Sequence, residues 1–282
     1  MINDPRGPID YDETGQGPTQ APTVVLVPGS CSTGAAWRPM MSHWNGAFRC
    51  VTTSLLGYGG TAERRTADNA DISLEAEMIE AVIERAGAPV HLVGHSFGGL
   101  SGLAVALRHP QLVRSLTILE APAPEILRHA GEDQHYNTFR NMTGAYFGAF
   151  RAGQCNAIEQ MIDFYGGAGT FASWPQRVRD YAVETTTVNL LDWTSAYGFA
   201  PAPSLLAKTT IPTLVVRGEK SHPAVKRANE LLGRSIPGAT IATIPGAAHF
   251  MIATHAGELA DLVANHLVAS HLVASHVGDV VS

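Results

Sequence analysis

The residues best suited to chemistry lie in "VHLVGHSFGG", residues 90–99. Ser96 stands there between Gly94 and Gly98 in the pattern G-x-S-x-G, straight after an apolar run. Such a spacing suits a chain that leaves a strand, turns sharply and enters a helix. The turn holds the serine in a strained backbone conformation and exposes its hydroxyl at the strand's end. Side chains at Gly94 and Gly98 would collide with neighbouring backbone. A helix starting near Phe97 would aim its free N–H groups and positive end at the site. Ser96 is therefore the candidate nucleophile.

A serine hydroxyl needs a base. Of the 12 histidines, His95 is the variable residue of the pattern and reads as packing or hydrogen bonding. His91 lies inside the apolar run and reads as a satisfied core histidine. His249 differs. In "IPGAAHF", 244–250, it falls just past the last predicted strand, in a loop before the final helix. Serine early and histidine late is a workable order for a nucleophile and its base, which makes His249 the candidate base.

The elements that must position these groups alternate. Apolar runs over 23–29, 48–55, 89–94, 113–120, 211–219 and 239–246 read as strands, each bounded by turn residues. Between them, 73–87, 98–110 and 222–234 have helical character, and a last helix starts near Thr254. Ser73 is the expected N-cap of the first of these, with Glu75 and Glu77 in its first turn and Gly87 at its end. Continuous apolar strands alternating with helices imply an α/β fold: a mostly parallel central sheet with helices on both faces.

Residues 123–205 break this rhythm. They offer helix-like pieces, no clear strand, and 13 of the 20 aromatic residues in 83 of the 282 positions. An insert that long between strands is usually functional. The reading is a helical cap over 123–205, with the core formed by 1–122 and 206–282. Some of its rings should line an apolar pocket and others should hold the cap to the core. Near the C-terminus "HLVAS" repeats, placing His266, His271 and His276 five residues apart. Five is not a helical period, so they should not share a face, and the repeat reads as a duplication that lengthens the last helix, with no site.

As a set, "VVLVPGS", "GYGGT", "GHSFGG", "IPTLVVRGE" and "IPGAAHF" resemble, in content and order, the α/β-hydrolase superfamily over nearly the whole chain. The segment "MIDFYGGAGTFASWP" looks like the cap of small bacterial members that cleave esters or related bonds. The resemblance implies a cap inserted after the sixth strand. It also implies an oxyanion hole formed by the backbone N–H groups of Phe97 and Ser30, with Pro28-Gly29 standing where the family usually has His-Gly. The family commonly places an aspartate after the next-to-last strand, yet here Ser221 stands at that position in "RGEKSHP". A serine cannot stabilise an imidazolium, so another acid is required. Glu120 ends the strand that neighbours the one leading to Ser96, and some similar members place an acid there. Glu219, two residues before Ser221, is the alternative.

Composition narrows the remaining classes. The chain is 45% hydrophobic and 16% charged, with net charge −6 and pI near 6.0, and has no basic stripe to suggest nucleic acid. The start, "MINDPRGPIDYDETGQGPTQ", lacks the basic opening and apolar core of a signal peptide, and no apolar stretch nears the ~20 residues of a membrane span. Three scattered cysteines suit a reduced, cytoplasmic setting. No metal motif and no cofactor motif is present, so none is expected. The expected activity is hydrolysis of a small-molecule carboxylic ester or lactone with an apolar or aromatic part, through Ser96, His249 and Glu120. The same groups could serve C–C bond hydrolysis or perhydrolysis, and a receptor-like binding protein of this fold is the rival outside enzymology.

Overall fold

The computed structural model describes residues 1–14 and 21–280, with backbone alone beyond residue 271. Nine strands occur among them: β1 (Ile2–Asp4), β2 (Gly7–Ile9), β3 (Asp12–Thr14), β4 (Thr23–Val27), β5 (Arg49–Thr52), β6 (Val90–His95), β7 (Val113–Leu119), β8 (Thr213–Gly218) and β9 (Thr240–Ile244). β1 and β2 form a separate antiparallel pair. The other seven form one sheet in the order β3-β5-β4-β6-β7-β8-β9, parallel except for β3 at its edge. Sequence reading missed β1, β2 and β3 because each is only three residues long, too short to show an apolar alternation.

The helices are α1 (Arg38–Trp44), α2 (Ser73–Ala86), α3 (Phe97–Arg108), α4 (Pro124–His129), α5 (Asp133–Arg151), α6 (Glu159–Gly166), α7 (Thr170–Ser173), α8 (Gln176–Glu184), α9 (Thr186–Gly198), α10 (Pro203–Leu206), α11 (Pro223–Ser235), α12 (Met251–Thr254) and α13 (Ala256–Val280). Successive strand residues point to opposite faces of the sheet. In β4, Val25 and Val27 join one apolar cluster with α2, α3 and α11, while Val24 and Leu26 join a second with α1 and α13. Every residue of the central β6 is buried, which is why its sequence runs apolar without alternation. α2 begins at Ser73 itself rather than after it: Ile72 takes the N-cap place with no side-chain capping bond, and Asp71 Oδ1, one residue earlier, accepts the Ser73 N–H at 2.8 Å. Gly87, at φ 91°, ends that helix.

Helices α4 to α10 all lie between β7 and β8. In chain order they follow the seventh described strand, which is the fifth strand of the main sheet, rather than a sixth. The repeated "HLVAS" stretch falls within α13, and the His276 side chain lies outside the described residues. No described helix is long and apolar enough to cross a membrane.

Candidate active site

Ser96 occupies the junction between β6 and α3 at φ 53°, ψ −126°, a left-handed strain on a residue with a Cβ. Backbone bonds over-determine that conformation. The Ser96 N–H donates to the Leu119 carbonyl at 2.8 Å, and its own carbonyl accepts from Gly99 N–H at 2.9 Å. The flanking glycines are steric necessities. A Cβ at Gly94 would lie 2.4 Å from the Gly98 carbonyl oxygen, and one at Gly98 would lie 2.3 Å from the Pro28 carbonyl oxygen. The turn therefore closes only with glycine on both sides, and this brings the loop after β4 against the serine.

His249 lies in the loop between β9 and α12. Its Nε2 is 3.0 Å from Ser96 Oγ and its Nδ1 is 2.9 Å from Glu120 Oε2. Glu120 follows β7 directly, at φ 49°. Its N–H donates to the Val216 carbonyl at 3.0 Å, and its Oε1 accepts the Gly218 N–H at 2.6 Å. β7 and β8 pair in parallel, so their C-terminal ends open on the same edge and deliver this carboxylate beside His249. All three side chains are buried: Ser96 is 9% exposed, His249 3% and Glu120 0%.

With Nδ1–H donated to Glu120, His249 Nε2 is left as an acceptor for the serine proton. Neighbouring rings fix the imidazole. Tyr165 packs on it at 4.1 Å between ring centroids and His95 at 4.8 Å. Burial, with His249 nearby, pushes His95 down to about 3, so it is neutral and its Nε2–H donates to the His249 carbonyl at 2.9 Å. His95 thus holds the backbone of His249, a role its place in the pattern left open between packing and hydrogen bonding.

Glu219 does not approach this line. It is exposed, and its Oε2 accepts the Gly246 N–H at 2.8 Å, tying the two loops at the ends of β8 and β9. Ser221 is buried, with its hydroxyl unpaired. His91 donates or accepts at Ser115 Oγ, 2.7 Å away, within the core.

Beside Ser96 is a cavity of about 20 Å³, room for one water-sized group. Ser30 and Asp192 form its polar side; Phe97, Pro122, Trp193 and Ala196 form its apolar side, with Tyr165 at the edge. Roomier clefts lie elsewhere, such as one of about 260 Å³ near Asp10, Arg38 and Thr52, and hold none of these groups. Of the aromatic residues of the α4–α10 segment, Phe139, Tyr146, Tyr165 and Trp193 all belong to the core cluster, and of these Tyr165 and Trp193 also line the cavity. A Cβ on Gly29 would lie 2.9 Å from Ser96 Cβ, so Ser30 follows a chain that grazes the serine. The Ser30 hydroxyl donates to Asp192 Oδ2 at 2.5 Å. Sequence reading missed Asp192; its one signal was a lone carboxylate in the otherwise uncharged helix "TTVNLLDWTSAYG". No group of three or more histidine, cysteine or acidic side chains among the described residues could hold a metal ion.

A family model described as the alpha/beta hydrolase fold matches residues 22–256. The chain is 32% identical over 200 residues to a pimeloyl-(acyl-carrier protein) methyl ester esterase of Neisseria meningitidis serogroup B (strain H44/76), covering 68% of this chain and 73% of that protein. A relative named for carbamate hydrolysis, RutD of Agrobacterium fabrum (strain C58), is 30% identical over 113 residues. That match covers 40% of this chain and 43% of the relative, so the chain spans less than half of that protein's length. Among solved structures, a thermophilic esterase from Thermogutta terrifontis superposes with a TM-score of 0.72 at 20% identity, over 93% of this chain and 94% of that one.

Proposed function

The chain belongs to the alpha/beta hydrolase family, and from that premise we propose that it hydrolyses carboxylic esters or lactones through an acyl-enzyme on Ser96. The observation that carries this reading is the unbroken line of hydrogen bonds from Glu120 through His249 to Ser96, at 2.9 and 3.0 Å. In the first half-reaction Ser96 Oγ attacks the carbonyl carbon while its proton passes to His249 Nε2. Glu120 fixes the imidazole tautomer and stabilises the imidazolium. The carbonyl oxygen becomes an oxyanion, received by the backbone N–H groups of Phe97 and Ser30. Phe97 is the first residue of α3, where unpaired N–H groups and the positive helix end coincide. His249 then gives its proton to the leaving oxygen. A water activated by the same nitrogen releases the acid and restores Ser96. In a lactone the leaving oxygen stays attached to the acyl chain, and the chemistry is otherwise the same.

The apolar side of the cavity favours a substrate with an apolar or aromatic part, because Phe97, Pro122 and Trp193 reward buried hydrocarbon and offer no charge. The α4–α10 segment is the cap in this reading, and its closeness over Ser96 excludes bulk water from the acyl-enzyme. The named activity of the Neisseria relative on a methyl ester agrees with a carboxylic ester. The test is a fluorophosphonate probe followed by p-nitrophenyl esters and simple lactones. Stoichiometric labelling of the wild type, lost with ester turnover in Ser96→Ala, is the expected result. A Ser96→Ala variant that still turns over esters at the wild-type rate would refute the serine mechanism.

A further inference from the structure

A buried carboxylate next to an oxyanion site is electrostatically awkward, and Asp192 is such a group. It sits on α9, 2% exposed, at the polar side of the cavity beside Ser96. Burying a charge costs several kcal/mol unless it is paired and hydrogen-bonded, and an apolar residue of similar volume would do as well for stability alone. Its partners show what the charge is doing there. Oδ2 accepts the Ser30 hydroxyl at 2.5 Å and the Tyr58 hydroxyl at 2.7 Å; Oδ1 accepts from Arg65 Nη1 at 2.7 Å. Arg65 in turn places its guanidinium carbon 5.9 Å from the centroid of the Phe97 ring. Ser30 and Phe97 are the two residues whose N–H groups the proposed mechanism assigns to the oxyanion. One ion pair therefore touches both walls of the oxyanion hole, Asp192 on the Ser30 side and Arg65 on the Phe97 side.

We propose that the Arg65–Asp192 pair is a positioning device for the oxyanion hole, with Asp192 reaching down from the cap to hold Ser30 so that the hole is complete when the cap is seated. This rests on the serine-hydrolase reading above. The hydroxyl of Ser30, tied to Asp192, fixes the orientation of its residue and so aims its N–H. Arg65 keeps the carboxylate from opposing the charge that develops on the substrate oxygen. The surrounding charges agree. Glu75 Oε1 is 3.2 Å from Arg65 Nη1, and burial pushes the Glu75 carboxyl up to about 8; burial also raises the Asp192 carboxyl, opposed by Arg65 and by the Ser30 and Tyr58 hydroxyls. Glu63, which accepts from Arg65 Nε at 2.9 Å and Nη2 at 2.8 Å, lies on the outer, partly exposed side of the guanidinium. Of the three carboxyl partners of Arg65, Asp192 is the one that lines the cavity.

Three variants test this: Ser30→Ala, which deletes one oxygen and keeps the backbone N–H; Asp192→Asn, which keeps the shape; and the pair together. An oxyanion hole acts in the transition state and little in the ground state, so its misalignment lowers kcat and leaves KM in place. A misplacement on the order of 1 Å costs about 100-fold, and each single variant is expected to lose about 10- to 100-fold in kcat. If Asp192 acts through Ser30, the double variant loses no more than the worse single one. A boronic acid that forms a tetrahedral adduct on Ser96 should lose affinity by a similar factor, whereas the carboxylic acid product should not. Should Asp192→Asn fail to fold, Ser30→Ala decides alone, by its kcat and its boronate affinity at unchanged melting temperature. Unchanged kcat in Ser30→Ala, multiplicative losses in the double variant, or a rise in KM alone would each overturn the proposal. Fluorophosphonate labelling of wild-type Ser96 keeps the two readings apart. Labelling without any effect of these variants rejects the device and spares the hydrolase.

Discussion

Replacing Glu120 by glutamine changes one oxygen to an NH2 and almost nothing else, yet the site leaves that NH2 nowhere to go. The carboxylate receives two donors: Oε1 takes the Gly218 N–H at 2.6 Å and Oε2 faces His249 Nδ1 at 2.9 Å. A glutamine has one acceptor for these two. If its carbonyl keeps Gly218, the NH2 faces Nδ1 and selects the tautomer protonated on Nε2. That imidazole can donate to Ser96 but cannot take its proton, and the base is lost. If the carbonyl turns to His249, the tautomer survives but the Gly218 N–H meets an NH2 in a fully buried place. Leaving such a donor unpaired costs about 1–3 kcal/mol of stability. In both arrangements the negative charge that supports the imidazolium is gone.

The loss of tautomer and charge together is worth about 10⁴ in kcat in comparable triads, which is about 5.4 kcal/mol of transition-state stabilisation. The assay is kcat for a p-nitrophenyl ester, with a thermal melt of the same preparation. Glu219→Gln is the control, since Glu219 is exposed and holds only the Gly246 N–H. It should keep kcat within a few-fold. A Glu120→Gln enzyme within tenfold of wild type, or a large loss confined to Glu219→Gln, would refute this reasoning and move the acid to Glu219.

Gly98→Ala should cost about 1–3 kcal/mol by overpacking, because its Cβ would lie 2.3 Å from the Pro28 carbonyl oxygen and 2.7 Å from that of Val27. The relief must come from the loop that carries Ser30, so kcat should fall with the melting temperature; a variant with wild-type kcat would contradict the assigned geometry. Acid should weaken the fold well above the carboxylate range. Burial pushes both His91 and His95 down to about 3, below the ~6.5 of an unfolded histidine, so the unfolded chain binds protons that the native one refuses. Each histidine therefore removes up to ~1.4 kcal/mol per pH unit below about 6.5. Glu75, pushed up to about 8 by burial, acts oppositely, its contribution being fully present below about 4.5 and lost as pH rises through 8. Two histidines outweigh one glutamate, and urea melts should show stability falling from pH 6.5 to 5; a flat or rising profile would contradict the buried neutral state of these rings.

What could be read from the sequence was what the chain encodes over a few residues. The Ser96 elbow was legible because its pattern spans five residues, although the space Gly98 leaves is taken by Pro28, 70 residues earlier. His249 was legible because a loop past the last strand is a local statement. Glu120 required a longer step: Ser221 stood where a carboxylate was wanted, and strand adjacency placed the end of β7 beside the end of β6. The bonds that organise the polar side of the cavity had no such signal. Ser30 and Asp192 are 162 residues apart, Tyr58 and Asp192 134, and Arg65 and Asp192 127. Nothing in the vicinity of any one of them names its partner.

That difference in range has a consequence for how the site works. The elbow and its histidine are fixed by the sheet, which pairs β6, β7 and β8 in one parallel run and is buried on both faces. Their backbone would keep its place if the α4–α10 segment shifted, although the imidazole would lose the packing of Tyr165 on α6. The contacts of Asp192 with Ser30, Tyr58 and Arg65 would not hold, because one partner rides on α9 and the other three belong to loops of the sheet domain. The cavity of about 20 Å³ beside Ser96 is lined from both sides of this boundary, by Asp192 and Trp193 of α9 and by Ser30 and Phe97. In the proposed enzyme, seating an ester larger than that cavity would strain the bonds between Asp192 and these loops. These are bonds to a carboxylate, worth about 1.5–3 kcal/mol each. In the proposed enzyme the sheet holds the backbone of the nucleophile and its base, and the contacts of Asp192 complete the oxyanion side.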